Sequence, residues 1–515
     1  MLRTVRKQTA SNSRVWGTAP LRRPGAVRDR GSDSVSASTT TVHRTLPAVE
    51  LSAHHPLLRN DENVRLLGYE DRIKQAFDAI VPTLKMISAI QHHSDFDSQA
   101  QRIASERLGF ELPEVILADA WVEQLDMRRL FAWCVFNTYK RICDEFFASN
   151  SPSDSAEEHF NEFLQSCGFH TMDITPCADG RLAHLVRYVL RLPPRAVRRK
   201  SYAGAIFDID DSIEKWMEVE LQRFREAMPN NAEAPTRYLK VVAYHFSSGN
   251  PEREGCAAHG SDTQKAAHAG LQRLNNFRQA IENSFCCGAS IDLLLIGVDT
   301  DTDSMRMHIP DGNGQMELDR YIDTQTIYGD TLRLGADAAR HAIEAVIHQC
   351  SADVATGMTR LIAHLIENNL SQIAYVLNRH GTHYPDIGHA ERFMGAGVGF
   401  EDIQLRNLMY FAYLNTVEEG AADLDVGVKI FKGLNVAHGL PVPVIVRFDY
   451  HGHVPGSRAR AVERCGRVAQ ALSSRYDDLF QQGLLHVLQV ARDCDGDGPL
   501  EIFSCSVDMP VQGGH

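Results

Sequence analysis

Between residues 63 and 150 the apolar positions recur with the period of a helix. Leu66, Tyr69, Ile73, Phe77, Ile80, Leu84 and Ile87 fall three or four residues apart, and a second apolar helix runs through 131–147. A polar break, Ser149-Asn150-Ser151-Pro152-Ser153-Asp154-Ser155, closes this helical part. The period then changes. Segments 170–176, 238–246 and 291–298 read as strands, while 181–192, 211–227, 263–284 and 336–378 read as helices. Strands alternating with helices argue an α/β arrangement. Farther on, strand-like 408–414 and 442–450 and a helix through Cys465 repeat that order. Four parts are expected: a tail at 1–52, an α-helical domain at 53–150, a mixed α/β domain at 151–398 and a further one at 399–515.

Composition changes this picture little. The chain of 515 residues, 43% hydrophobic, can bury several cores. Its longest apolar runs, near 291–298 and 441–448, fall well short of the roughly 18 residues needed to span a bilayer. No secretory apolar segment is read at the N-terminus. Eleven cysteines, an odd number at irregular spacing, do not form a disulfide framework and point to a reducing compartment. Cys134 and Cys143 sit on apolar faces as core thiols, and the adjacent pair Cys286-Cys287 bridges only with unusual backbone geometry.

Charge is more informative. Residues 1–45 hold nine Lys or Arg against Asp29 and Asp33, so they carry +7 while the remainder carries −20 of a chain total of −13. This segment lacks apolar periodicity and is rich in Ser, Thr, Gly and Pro, a composition that does not fold alone. A solvated leader, a transit peptide and a basic arm for an acidic partner all fit it.

The chemistry gathers at predicted strand ends, where functional groups of α/β sheets collect. Cys177 follows the strand 170–176 and precedes the predicted helix, whose N-terminal N–H groups would favour its thiolate. His245 ends the next strand. Eleven residues on, past the polar loop 247–255, comes Cys256. A Cys, His, Cys set suits Zn²⁺ and leaves a fourth position open, as in catalytic zinc sites. Spacing alone leaves other sets: the pair Cys167 and His170, with His259 as a substitute in the second half. It also leaves the reading in which these cysteines are only buried thiols.

Cys177-x-Asp179-x-Arg181 with a later His and Cys resembles the zinc site of β-class carbonic anhydrases. The wider chain is similar to their divergent carboxysomal shell branch, once called the ε class. The runs that carry the likeness include Leu130-Phe131-Ala132-Trp133-Cys134, Thr175-Pro176-Cys177-Ala178-Asp179-Gly180-Arg181, Tyr244-His245-Phe246-Ser247, Gly255-Cys256-Ala257-Ala258-His259-Gly260 and Ser284-Phe285-Cys286-Cys287-Gly288. Ten residues separate His245 from Cys256, against the two that separate the matching residues in ordinary β-class enzymes; the carboxysomal branch shares the insertion.

The resemblance implies one Zn²⁺ per chain on Cys177, His245 and Cys256, lowering the pKa of a bound water for attack on CO₂. Asp179 would orient the hydroxide and Arg181 would keep Asp179 ionised and off the metal. It implies a catalytic domain at 151–398 and, at 399–515, a zinc-less diverged copy that makes a fused pseudo-dimer of mixed α+β / α/β class. It further implies bicarbonate-to-CO₂ conversion for Rubisco inside the carboxysome, a homo-oligomer, contacts with shell proteins, and Rubisco recruitment by the basic tail. Neither nucleic acid nor membrane is an expected partner. Among other classes, a deaminase would need H-x-E with P-C-x-x-C, and both patterns are absent. An inactive carboxysomal scaffold would keep the fold and need not keep the ligands. The proton shuttle stays open among His259, His380, His383 and His389. The acidic runs 299–303 and 493–498 are expected to be solvated turns, since the first lacks the EF-hand glycine and the second has Ser504 where the closing Glu belongs. His92 and His93 are expected to be exposed.

Overall fold

Strand β1 (Thr171–Pro176), the two-residue β2 (Arg198–Arg199), β3 (Thr236–Phe246), β4 (Ala289–Asp299), β5 (Met305–His308) and β6 (Ile322–Asp323) form the first sheet, ordered β2-β1-β3-β4-β5-β6. This is seen in a computed structural model that describes residues 55–509 apart from 121–122, 150–153, 229, 232, 286–288, 401–402, 413, 415–416, 497 and 508. The expected basic tail and the Cys286-Cys287 pair lie outside the described residues. β2, β1, β3 and β4 run parallel, and β5 and β6 return antiparallel. β3 is buried along nearly its whole length, which is why it reads as an almost continuous apolar run rather than an alternation. One face is covered by the helix Thr263–Ser284 through Ala266, Ala267, Leu274, Phe277 and Ile281.

A second sheet, ordered β11-β10-β9-β7-β8, is built from β7 (Phe393–Val398), β8 (Met409–Ala412), β9 (Val442–Phe448), β10 (Leu485–Ala491) and β11 (Glu501–Cys505). Its first four strands in the chain are parallel and the last is antiparallel. The molecule is thus a mixed α/β fold with two mainly parallel sheets. Helices Asn60–Asp78, Ile80–Ala89, Phe96–Leu108, Glu114–Asp119 and Met127–Ser149 precede the first sheet, and the core they form with the second sheet includes Cys134 and Cys143. His92 and His93 are exposed. Among the described residues no helix is long and apolar enough to cross a membrane.

Two predicted helices differ. Segment 336–378 is split into Ala336–Cys350 and Thr356–His380, because Ser351 turns to extended backbone. Segment 181–192 is not a regular helix: a tight turn at Gly180–Leu182 is followed by one wide turn at Leu185–Val189. Leu182, Leu185, Val186, Tyr188, Val189, Leu190 and Leu192 are all buried, so the segment has no solvent face and threads the core. Backbone carbonyls that a helix would have paired are met by side chains instead. Asn368 Nδ2 donates to the Leu190 carbonyl (2.9 Å), Asn369 Nδ2 to that of Val189 (3.3 Å) and Arg199 Nη1 to that of Ala183 (2.9 Å).

Candidate metal centre

The parallel pairing of β1 and β3 brings their carboxyl ends together. Cys177 is fixed just past β1, its N–H donating to the Ala243 carbonyl (3.1 Å) and that of Ala178 donating to the Tyr202 carbonyl (2.9 Å). His245 is the penultimate residue of β3, and Cys256 immediately precedes the short turn Ala257–His259. Cys177 Sγ and Cys256 Sγ are 4.0 Å apart, and with a ring nitrogen of His245 they form a buried group whose donor atoms all lie within 4.8 Å of one another. Neither nitrogen of His245 has a hydrogen-bond partner.

The electrostatics of the thiol pair differ from the sequence expectation. Without a regular helix at 181–192 there is no strong dipole behind Cys177, although the Gly204 N–H donates to its sulfur at 3.2 Å. The hydrogen bond that Cys177 shares with Cys256 and its burial both push its pKa well up, so by itself it does not ionise more easily than a core thiol. Cys256 moves down: the Cys177 hydrogen bond outweighs burial, and the Ala258 and His259 backbone N–H groups add to it. Ionising both sulfurs this close together, out of water, would need a cation between them.

Asp179 and Arg181 form a buried bidentate pair. Arg181 Nε and Nη2 donate to Asp179 Oδ1 and Oδ2 at 2.9 and 2.8 Å, and the Arg181 backbone N–H adds a bond of 3.0 Å. Arg181 Nη1 is spent on the carbonyls of Glu254 (2.5 Å) and Ile387 (3.0 Å). Asp179 Oδ2 stands 3.4 Å from His245 Nε2. Burial opposes the charge on Asp179, but Arg181, His389 and His245 hold its carboxyl well below the usual range.

His389 Nε2 lies 3.8 Å from Asp179 Oδ2, and His389 Nδ1 is 2.9 Å from Glu391 Oε1. Burial would lower its pKa, yet Asp179 and Glu391 raise it to about 9. Glu391 also accepts the Gly180 N–H at 3.2 Å. A Cβ on residue 180 would sit 2.4 Å from Glu391 Cγ and 2.8 Å from the Met409 carbonyl, so this close approach requires glycine. Sequence reasoning named His389 only among four histidines and missed Glu391 and Gly204. No local motif marks either, because each reaches the site from a distant part of the chain.

The other candidates fall elsewhere. Cys167 packs in the core, His170 Nδ1 accepts the Arg237 N–H (3.0 Å), and His259 Nε2 lies 3.1 Å from the Gly204 carbonyl. His380 packs on Tyr384, and His383 is exposed. The run 299–303 is not a solvated turn. Asp299, Asp301 and Asp303 are buried, and the first two hold the loop after His245: Asp301 Oδ2 accepts from Ser247 Oγ (2.7 Å) and the Gly249 N–H (2.6 Å), and Asp299 Oδ1 accepts the Ser248 N–H (3.1 Å). Asp303 Oδ2 accepts from Tyr384 (2.8 Å) and Gln372 (2.9 Å) and pairs with His184 (2.7 Å).

Family models described as Carboxysome Shell Carbonic Anhydrase match residues 55–147 (N-terminal), 159–389 (catalytic domain) and 390–507 (C-terminal). A carboxysome shell carbonic anhydrase of Parasynechococcus marenigrum is 50% identical over 519 aligned positions, covering 99% of this chain and 89% of that protein. One from Prochlorococcus marinus is 51% identical over 504 (97% and 96%), and one from Halothiobacillus neapolitanus 44% over 470 (89% and 91%).

Proposed function

The chain belongs to the carboxysome shell carbonic anhydrase family, and from that premise we propose that it interconverts CO₂ and bicarbonate in the carboxysome at a Zn²⁺ held by Cys177, His245 and Cys256. The observation that carries this reading is the buried donor set itself: two thiols 4.0 Å apart beside an imidazole with no hydrogen bond. The imidazole is costly to bury without a partner, and two sulfurs beside it complete the donor set that a zinc ion would satisfy. When bound, zinc supplies hydroxide near neutral pH by lowering the pKa of its water from about 15.7 to about 7.

The surrounding residues do the rest. Asp179, fixed by Arg181, would accept a hydrogen bond from a nucleophile held at the metal position and so orient it toward CO₂. Because both its oxygens are tied to Arg181, the carboxylate stays off the metal position. CO₂ needs only a small dry pocket, but a proton must reach solvent. Of the four histidines considered, His389 stands beside Asp179 with its side chain 21% exposed, and we assign the relay to it.

The two sheets support a fused pseudo-dimer. β2-β1-β3-β4-β5 and β8-β7-β9-β10-β11 have the same chain order and the same directions. Where β3 ends in His245-Phe246, β9 ends in Arg447-Phe448, and Arg447 pairs with Asp449 (2.8 Å). A positive guanidinium at that strand end suits a copy without metal and one active site per chain. On this reading the parts are a basic tail (1–52) that recruits Rubisco, a helical domain (53–150), the catalytic domain and the zinc-less copy; the boundary expected at 398 falls too late, because β7 (Phe393–Val398) already pairs within the second sheet. Stopped-flow CO₂ hydration should scale with zinc content up to one ion per chain. Undiminished hydration after chelation to zinc-free protein would overturn the proposal.

A further inference from the structure

The stretch Asp493-Cys494-Asp495, which opens like an EF-hand loop, meets a second group in the folded chain. β9 and β10 lie side by side in parallel, and the loops leaving their carboxyl ends carry His451 and His453 on one side and Asp495 on the other. His451 Nδ1 is 2.8 Å from Asp495 Oδ1, and His453 Nδ1 is 2.5 Å from Asp495 Oδ2, so each carboxylate oxygen takes one imidazole. The three donor atoms lie within 4.8 Å of one another, and all three residues are exposed.

Backbone contacts set this arrangement in advance. The Tyr450 N–H donates to the Arg492 carbonyl (3.0 Å) and the Cys494 N–H to that of Tyr450 (2.7 Å), which locks the two loops together. Asp493 Oδ1 accepts the N–H groups of Gly452 (2.9 Å) and Asp495 (3.0 Å). A Cβ at residue 452 would lie 2.2 Å from Asp493 Oδ2, so glycine lets the loops close. The His453 N–H donates to Asp495 Oδ2 (3.1 Å), and Ser457 Oγ donates to the His451 carbonyl (2.6 Å), fixing the carboxylate and the first histidine's backbone.

We propose that His451, His453 and Asp495 form a second metal site, separate from the catalytic centre, for a divalent first-row transition cation such as Zn²⁺, Ni²⁺ or Cu²⁺. Two imidazole nitrogens and a carboxylate oxygen suit these borderline cations. The same set disfavours Ca²⁺, which takes about six to eight oxygens. Binding displaces the hydrogens held between each Nδ1 and the carboxylate, a neutral ring carrying its proton on Nε2 instead, and protons compete with the metal, so binding weakens on acidification. Exposure leaves the remaining coordination positions open to water.

The test uses untagged full-length protein with its catalytic zinc in place, titrated calorimetrically with NiCl₂ at neutral pH. One Ni²⁺ per chain should bind to the unaltered protein, the double variant His451→Ala/His453→Ala should lose that equivalent, and Asp495→Asn should weaken it roughly tenfold or more. CO₂ hydration should be unchanged in both variants. Electron paramagnetic resonance of the Cu²⁺-loaded protein should show coupling to two imidazole nitrogens, absent from the double variant. Equal Ni²⁺ stoichiometry and affinity with and without the histidines, or no Ni²⁺ bound by the unaltered protein, would overturn the site.

Discussion

Arg181 is fully buried and commits three of its nitrogens, Nε and Nη2 to Asp179 and Nη1 to two backbone carbonyls. Removing it strands an ionised carboxylate out of water, and breaking a buried pair in this way costs about 3–5 kcal/mol. Arg181→Ala should therefore unfold at lower urea and lose roughly 10–100-fold in CO₂ hydration while keeping its zinc. Unchanged hydration by stopped flow would remove Arg181 from the mechanism. The pattern Cys177-x-Asp179-x-Arg181 was legible in the sequence because one five-residue turn carries all three groups. His389 and Glu391 were not, since their relation to Asp179 exists only after two sheets have packed against the same turn. The ionisation of Cys177 was misjudged for a related reason: periodicity at 181–192 described a buried core segment, not a helix with a free N-terminus.

At the scale of elements, the loop after His245 depends on a turn more than fifty residues away. Asp301, fully buried, takes the Ser247 hydroxyl and the Gly249 N–H. Asp301→Ala leaves those donors unpaired, a loss of about 1–3 kcal/mol. It also loosens the segment that spans His245 and Cys256, so zinc loss to a chelator should accelerate. A chelation rate equal to that of the unaltered protein would show that the loop holds its shape alone. Acidic composition made 299–303 look solvated, and only the sheet that buries it shows otherwise. The long strands β3 and β4 and the helix Thr263–Ser284 were legible because their apolar pattern is dense and uninterrupted. β7 was missed because Gly395 and Gly397 dilute its strand signal.

Across the whole molecule, the turn that holds Cys177 to Arg181 is pinned from both sides. The Phe411 N–H donates to the Ala178 carbonyl (3.2 Å) and the Asn407 N–H to that of Gly180 (2.9 Å), so the second sheet backs the candidate site without supplying a metal ligand. Repetition of strand order between the sheets was half visible in the sequence, as a strand and helix echo after residue 398; shared direction needed the fold. The basic tail enters by charge alone. Deleting residues 1–52 should leave CO₂ hydration unaltered and abolish Rubisco binding at moderate salt, and binding by the intact chain should weaken as salt is raised further. A tail-deleted chain that binds Rubisco as tightly, measured by co-sedimentation or interferometry, would contradict that role. The most direct test of the central claim is the paired zinc content and stopped-flow CO₂ hydration of Cys177→Ser, made in the His451→Ala/His453→Ala background so that only the buried site can hold zinc: neither stoichiometric zinc nor catalysed hydration should remain, whereas full activity would show that the metal and the chemistry lie elsewhere.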